Sequence, residues 1–80
     1  MILKLTAFGI AKDILGKRVL EIEMERNSKI SDLKTVLLHQ YPDFSKLANL
    51  TFAVDEAYQD DGFLLSANQE IVIIPPVAGG

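Results

Sequence analysis

The stretch Ile71-Val72-Ile73-Ile74-Pro75-Pro76-Val77-Ala78-Gly79-Gly80 holds both a structural and a chemical signal. Its first four residues are apolar at every position, which predicts a strand covered on both faces and so placed in the middle of a sheet. The proline pair fixes φ near the extended value and biases Ile74 toward extended geometry, so the chain is expected to leave the sheet as a stiff rod. Gly79 and Gly80 lack Cβ atoms; they can thread a slot closed to other side chains and accept backbone angles that others avoid. At roughly 3.3 Å per residue, the run from Pro75 to Gly80 reaches about 20 Å, deep enough to enter a partner's active site. On this reading the terminal carboxylate of Gly80 is the working group. The alternative is a frayed terminus that happens to end in glycine.

Working back from that strand, the chain divides by hydrophobic period. Met1 to Phe8 has β-type composition with partial alternation, and Val19 to Met24 alternates Val19, Leu20, Ile22 and Met24 against Glu21 and Glu23. These two segments read as paired strands joined by a long loop through Gly9 and Lys12 to Lys17. Ile30, Leu33, Leu37 and Tyr41, with Val36 beside them, recur at three and four residues and predict a helix over Ser31 to Tyr41. Ser28 or Ser31 is the expected N-cap, Asp32 sits in the first turn, and Pro42 ends the helix. Beyond it, Asp43 to Asn49 reads as a short helical turn or loop plugged by Phe44 and Leu47. Leu50 to Val54 reads as a strand, Asp55 to Gly62 as a charged loop and Phe63 to Ala67 as a brief apolar element. The order ββαβ(β)β with a central last strand describes an α+β fold of the β-grasp type, a mixed sheet over one main helix. Residues 1–74 form the single domain and residues 75–80 an extended, flexible Gly-Gly tail.

Composition excludes several classes of function. Eighty residues make one domain, and such a chain buries only about 60% of its unfolded surface. There is no cysteine, hence no disulfide or thiolate metal site, and a reducing compartment is expected. His39 is the one histidine; without a second to share a metal, it reads as structural or solvated. A net charge of −3 and the lack of a basic stripe argue against nucleic acid as a partner. No apolar run approaches the roughly 18 residues of a membrane helix, so no membrane association is expected and the location is read as cytoplasmic. Nothing supplies a Ser-His pair or a phosphate-binding glycine loop, so the chain reads as no enzyme on its own.

The ending Ile74-Pro75-Pro76-Val77-Ala78-Gly79-Gly80, the preceding Asn68-Gln69-Glu70-Ile71-Val72 and the opening Phe8-Gly9-Ile10-Ala11-Lys12-Asp13-Ile14-Leu15-Gly16 resemble the small subunits of molybdopterin synthase, the MoaD family of ubiquitin-like sulfur carriers. Val54-Asp55-Glu56 stands where that family has a strand ending in Val-Asn, and Asn68-Gln69-Glu70 replaces its Gly-Asp-Glu turn. The resemblance implies that Gly80 is adenylated by a MoeB-like activating enzyme of the ubiquitin-activating type, which uses ATP. A sulfur donor then converts it to a thiocarboxylate. The tail residues Pro75, Pro76, Val77, Ala78 and Gly79 would insert into the MoaE-like large subunit, and sulfur would pass to a cyclic pyranopterin precursor as molybdopterin forms. A heterotetramer with the large subunit is implied, and no bound cofactor or metal.

The resemblance also marks Phe8, Tyr58 and Ile74 as the partner interface near the tail's base. Core packing is the alternative for Phe8 and Ile74; Tyr58, in a charged loop, has little structural reason to be there. Asp55, Glu56, Asp60 and Asp61 read either as a solvated loop or as a patch that steers the chain toward basic partners. Two other functions use the same diglycine: a ubiquitin-like modifier forming isopeptide bonds through Gly80, and a thiamine-pathway sulfur carrier.

Overall fold

Alternation builds the first hairpin. In the computed structural model, which describes residues 1–47 and 49–75, β1 (Ile2–Ala7) buries Leu3, Leu5 and Ala7 and leaves Ile2 and Lys4 exposed. β2 (Val19–Glu23) pairs with it antiparallel, Leu5 opposite Leu20 and Thr6 opposite Val19, and buries Leu20 and Ile22. Each strand thus has one dry and one wet face.

The connection between them is a helix, α1 (Gly9–Leu15), where a loop was expected. Ala11 and Leu15, one turn apart, are buried, and tertiary packing of that short stripe holds a segment whose length alone would not sustain a helix. Gly16 stops it in the left-handed region at φ 76°, its N–H donating to the Lys12 carbonyl at 2.8 Å.

α2 (Ile30–Gln40) follows the expected stripe, with Ile30, Leu33 and Leu37 buried. Its start departs from expectation. Lys29 is the N-cap, and its backbone N–H donates to Oδ2 of Asp32 at 2.8 Å; the Ser28 hydroxyl instead donates to the Glu25 carbonyl. Pro42 opens a short 3-10 helix (Pro42–Lys46) that buries Phe44, whose ring meets Tyr41 edge-on at 6.3 Å.

The second hairpin joins β3 (Thr51–Val54) to β4 (Ala57–Gln59). The expected charged loop, Asp55 to Gly62, therefore contains a strand. Its two-residue turn has φ of 50° at Asp55 and 71° at Glu56, as a type I′ turn requires, and that twist matches the strands it joins. The Asp55 carboxylate accepts from the Glu70 N–H at 2.9 Å, while the Asp55 N–H donates to the Glu70 carbonyl at 2.9 Å. Asn68, at φ 69°, supplies the positive φ needed just before the last strand. Phe63 to Ala67 forms no strand; Leu64 makes an isolated bridge with Lys29, and Leu65 is buried.

β5 (Ile71–Ile74) completes a five-stranded sheet in the order β2-β1-β5-β3-β4. It runs parallel to β1, with Leu5 opposite Ile71 and Ala7 opposite Ile73, and antiparallel to β3. The last strand is central, as its composition predicts. The core lies on one side of the sheet, where Leu5, Phe52, Ile71 and Ile73 meet Leu33 and Leu37 of α2. The expectation that both faces of β5 are covered is corrected: Ile71 and Ile73 are fully buried, but Val72 and Ile74 face the other way and are only half-buried. The architecture is an α+β β-grasp, a mixed sheet packed on helices on one side and open on the other.

Candidate functional site

Strand register decides which side chains share the open face. Thr6 pairs with both Val19 and Val72, Val72 with Ala53, and Ala53 with Tyr58, so Val19, Thr6, Val72, Ala53 and Tyr58 form one row across all five strands. Neighbours in such a row stand side by side on the same surface. A second row runs closer to the end where Pro75 leaves the sheet. Thr51 pairs with Ile74, and extending the β1–β5 register by one residue sets Phe8 beside Ile74. The backbone at Phe8 is extended, at φ −132° and ψ 162°, which keeps its side chain in the alternation of β1.

Phe8, Ile74 and Tyr58 therefore stand on one surface. Phe8 is 48% exposed and Tyr58 72% exposed, while Ile74 is half-buried. Packing of Phe8 in the core, the alternative raised by the sequence, does not occur. Tyr58 owes its exposure to β4, an edge strand whose Tyr58 points away from the core with Ala53. Val72 belongs to the same surface and was hidden in the sequence, because an all-apolar run gives no sign of which face is dry. Of the tail positions, Pro75 is half-buried at the end of β5. Pro76, Val77, Ala78, Gly79 and Gly80 lie outside the described residues.

The charges are arranged about these rows. Asp55 and Glu56 sit at the end of the sheet remote from Pro75, while Asp60 and Asp61 follow β4 on the Pro75 side. Three of these four acids have local partners: Asp55 binds the Glu70 N–H, Asp60 the Gly62 N–H, and Asp61 the Lys34 ammonium. On the opposite flank, at the start of β2, the Arg18 guanidinium lies over the Phe8 ring, 5.6 Å from its centroid. Sequence reading missed Arg18. Arg18 precedes β2 and pairs by backbone with Ala7, whose side chain faces the core, so strand alternation gives no sign of its contact with Phe8.

A shallow groove of about 660 Å³ on the same side is lined by Lys4, Thr6, Val19, Glu21, Gln69 and Glu70 among others. It pairs no nucleophile with a base. Among the described residues no three of His, Cys, Asp and Glu converge as metal ligands, and His39 stands exposed in the last turn of α2. No described helix is long and apolar enough to cross a membrane. The surface is suited to docking, with an apolar centre and charged flanks, and its end is where the tail begins.

Residues 5–80 match the ThiS family. The chain belongs to that family. Among curated relatives of this ThiS-family chain, the molybdopterin synthase sulfur carrier subunit of Caenorhabditis briggsae is 35% identical over 80 residues, covering 96% of the chain and 95% of the relative. That of Dictyostelium discoideum is 33% identical over 81 residues, covering 96% and 94%. Both alignments are nearly end to end, so the resemblance to molybdopterin synthase small subunits read from the tail and the opening segment holds over the whole chain.

Solved structures share the fold. A putative molybdopterin converting factor subunit 1 from Pyrococcus furiosus superposes with a TM-score of 0.86 at 20% identity, covering 96% of this chain and 99% of the other. The small archaeal modifier protein SAMP1 of Haloferax volcanii superposes at 0.83 with 17% identity, covering both chains fully. A third likeness, at TM-score 0.69 and 21% identity over the full length of both chains, is to a structure from Helicobacter pylori titled as the complex of subunits 1 and 2 of molybdopterin-converting factor.

Proposed function

We propose that this chain is the sulfur-carrier subunit of a molybdopterin synthase, with Gly80 as the group that is charged and discharged. The near full-length kinship with subunits of that name carries the reading. The fold supports it by joining the tail directly to a central strand and by leaving an apolar face at the point of exit.

The chemistry follows from the carboxylate. Its oxygen is a poor leaving group, so an activating enzyme first transfers AMP from ATP to Gly80, releasing pyrophosphate. A sulfur nucleophile then displaces AMP and leaves a thiocarboxylate. That group is nucleophilic at neutral pH: its sulfur bonds to a pyranopterin precursor, water then cleaves the resulting acyl–sulfur bond, and an ordinary carboxylate remains, ready for another round. The residues that catalyse these steps would belong to the partners. This chain contributes the reactive terminus, the reach of residues 75–80 and a docking face built on Phe8, Ile74 and Tyr58, with no cofactor of its own. The large synthase subunit is the partner proposed for that face, and the likeness to a subunit 1–subunit 2 complex supports it. A cytoplasmic location accords with the sequence.

The test is mass spectrometry of the C-terminal peptide from protein purified gently from its own host. Thiocarboxylate on Gly80, with a large synthase subunit co-purifying, is the expected result. Isopeptide links from Gly80 to assorted lysines, without thiocarboxylate, would overturn the reading in favour of a protein modifier.

A further inference from the structure

We infer that Arg18 is a specificity-determining docking residue, and that the partner entered by the tail presents a carboxylate to it beside the pocket that takes Phe8. The inference rests on the sulfur-carrier reading and adds to it the chemistry of the partner's surface.

Three observations meet at this residue. The first is position: Arg18 begins the flank of β2 beside Phe8, which adjoins Ile74 and the point where Pro75 leaves the sheet. The second is orientation. The Arg18 carbonyl accepts from the Ala7 N–H at 2.8 Å, which fixes its backbone, and its guanidinium lies over the Phe8 ring. A guanidinium beside an aromatic face retains N–H donors for acceptors, and its planar fork matches a carboxylate in a two-pronged contact. The third is availability: among the described residues the Arg18 side chain has no ion pair and no hydrogen bond, so its donors are open to a partner. The acids on the other flank are largely engaged within the chain, whereas Arg18 lies over the exposed Phe8 ring, paired with no acid among the described residues.

A protein surface with an acidic side chain next to an apolar pocket fits this pair. Arginine and aromatic residues are the side chains that dominate interface energetics when a partner desolvates them together. The arrangement also gives direction to docking. Across the exit end the sheet runs from Arg18, through Phe8 and Ile74, to Asp60 and Asp61, so a partner of complementary charge meets the tail in one orientation.

The experiment is calorimetric titration of the full chain, as wild type, R18A, R18K and R18E, into the large molybdopterin synthase subunit of the same genome at low and high salt. R18A should weaken binding about tenfold, the scale of one charge-assisted pair, and R18E should weaken it further. R18K should recover part of the loss, and the gap between wild type and R18A should narrow as salt rises. Thermal unfolding of the free variants should coincide with that of the wild type, since Arg18 packs on the surface. Binding of R18A and R18E within twofold of wild type overturns the inference alone. Failure of the wild-type chain to bind the large subunit at all overturns the sulfur-carrier reading and this inference with it.

Discussion

Replacing Ile73 and Ile74 by alanine, one at a time, separates what β5 does for the fold from what it does for docking. Ile73 is fully buried against Leu33 and its neighbours in the core, so Ile73→Ala removes apolar atoms and leaves a cavity. Such changes cost about 2–5 kcal/mol. The stability of a domain of this size is roughly 4–12 kcal/mol, from about 0.05–0.15 kcal/mol per residue. The variant should therefore sit near the edge of folding, with a melting temperature lower by about 8–40 °C at about 4–8 °C per kcal/mol. Ile74 points to the open face and is half-buried already. Ile74→Ala removes much less area from contact, so at about 25 cal/mol per Å² it should cost about 1 kcal/mol or less. Binding should show the reverse order. Measured on folded protein with the large subunit, Ile74→Ala should weaken the complex about tenfold or more, as loss of an interface anchor does. Ile73→Ala should leave the affinity of the folded fraction within a few-fold of wild type. Urea unfolding and calorimetric titration of the two variants give both numbers. Equal destabilisation by the two substitutions, or equal loss of affinity, would refute the assignment of these neighbours to opposite faces.

Further expectations concern the turns and the charges. Gly16→Ala places a Cβ in open space but at φ 76°, so its cost is backbone strain alone: about 1–2 kcal/mol by urea unfolding, with docking unchanged. Glu56→Gly should raise stability by about 0.5–1 kcal/mol by the same measurement, because glycine accepts the φ of 71° that glutamate occupies under strain. Neutralising Asp55, Glu56, Asp60 and Asp61 to their amides keeps oxygen acceptors for the Glu70 and Gly62 N–H groups. Stopped-flow association with the large subunit should then slow about tenfold at low salt and lose much of its salt dependence; an unchanged rate would rule out steering.

Much of this architecture could be read before any coordinates. Ile71 to Ile74 announced a central strand, and the 3–4 spacing of Ile30, Leu33 and Leu37 announced α2. What escaped did so for physical reasons. α1 spans seven residues, too few for a period to emerge, and Ala11 is too small to stand out as a core position. β4 is an edge strand of three residues with charges on both sides, so its sequence looks like the loop it interrupts. The Asp55-Glu56 turn lacks the glycine that usually marks a type I′ hairpin. Val72 and Ile74 misled differently. An apolar run does not say which of its faces the rest of the chain covers, and Val72 and Ile74 are half-buried on the open one. Arg18 escaped because it lies just before β2, where strand alternation does not place its side chain on the Phe8 face.

The place of β5 between β1 and β3 also has a mechanical consequence. Among the described residues the two hairpins are joined in the sheet only through this strand, and Pro75 follows directly from its end. A pull applied through Pro75 loads the hydrogen bonds to both neighbours together and along the strands, in shear, rather than opening them one after another as peeling an edge strand would. Forced unfolding is a question of rate, and shear across two neighbours raises the force needed for that rate to matter. Under the proposed function, a tail drawn out of one partner and offered to the next is tied to a strand hydrogen-bonded on both edges.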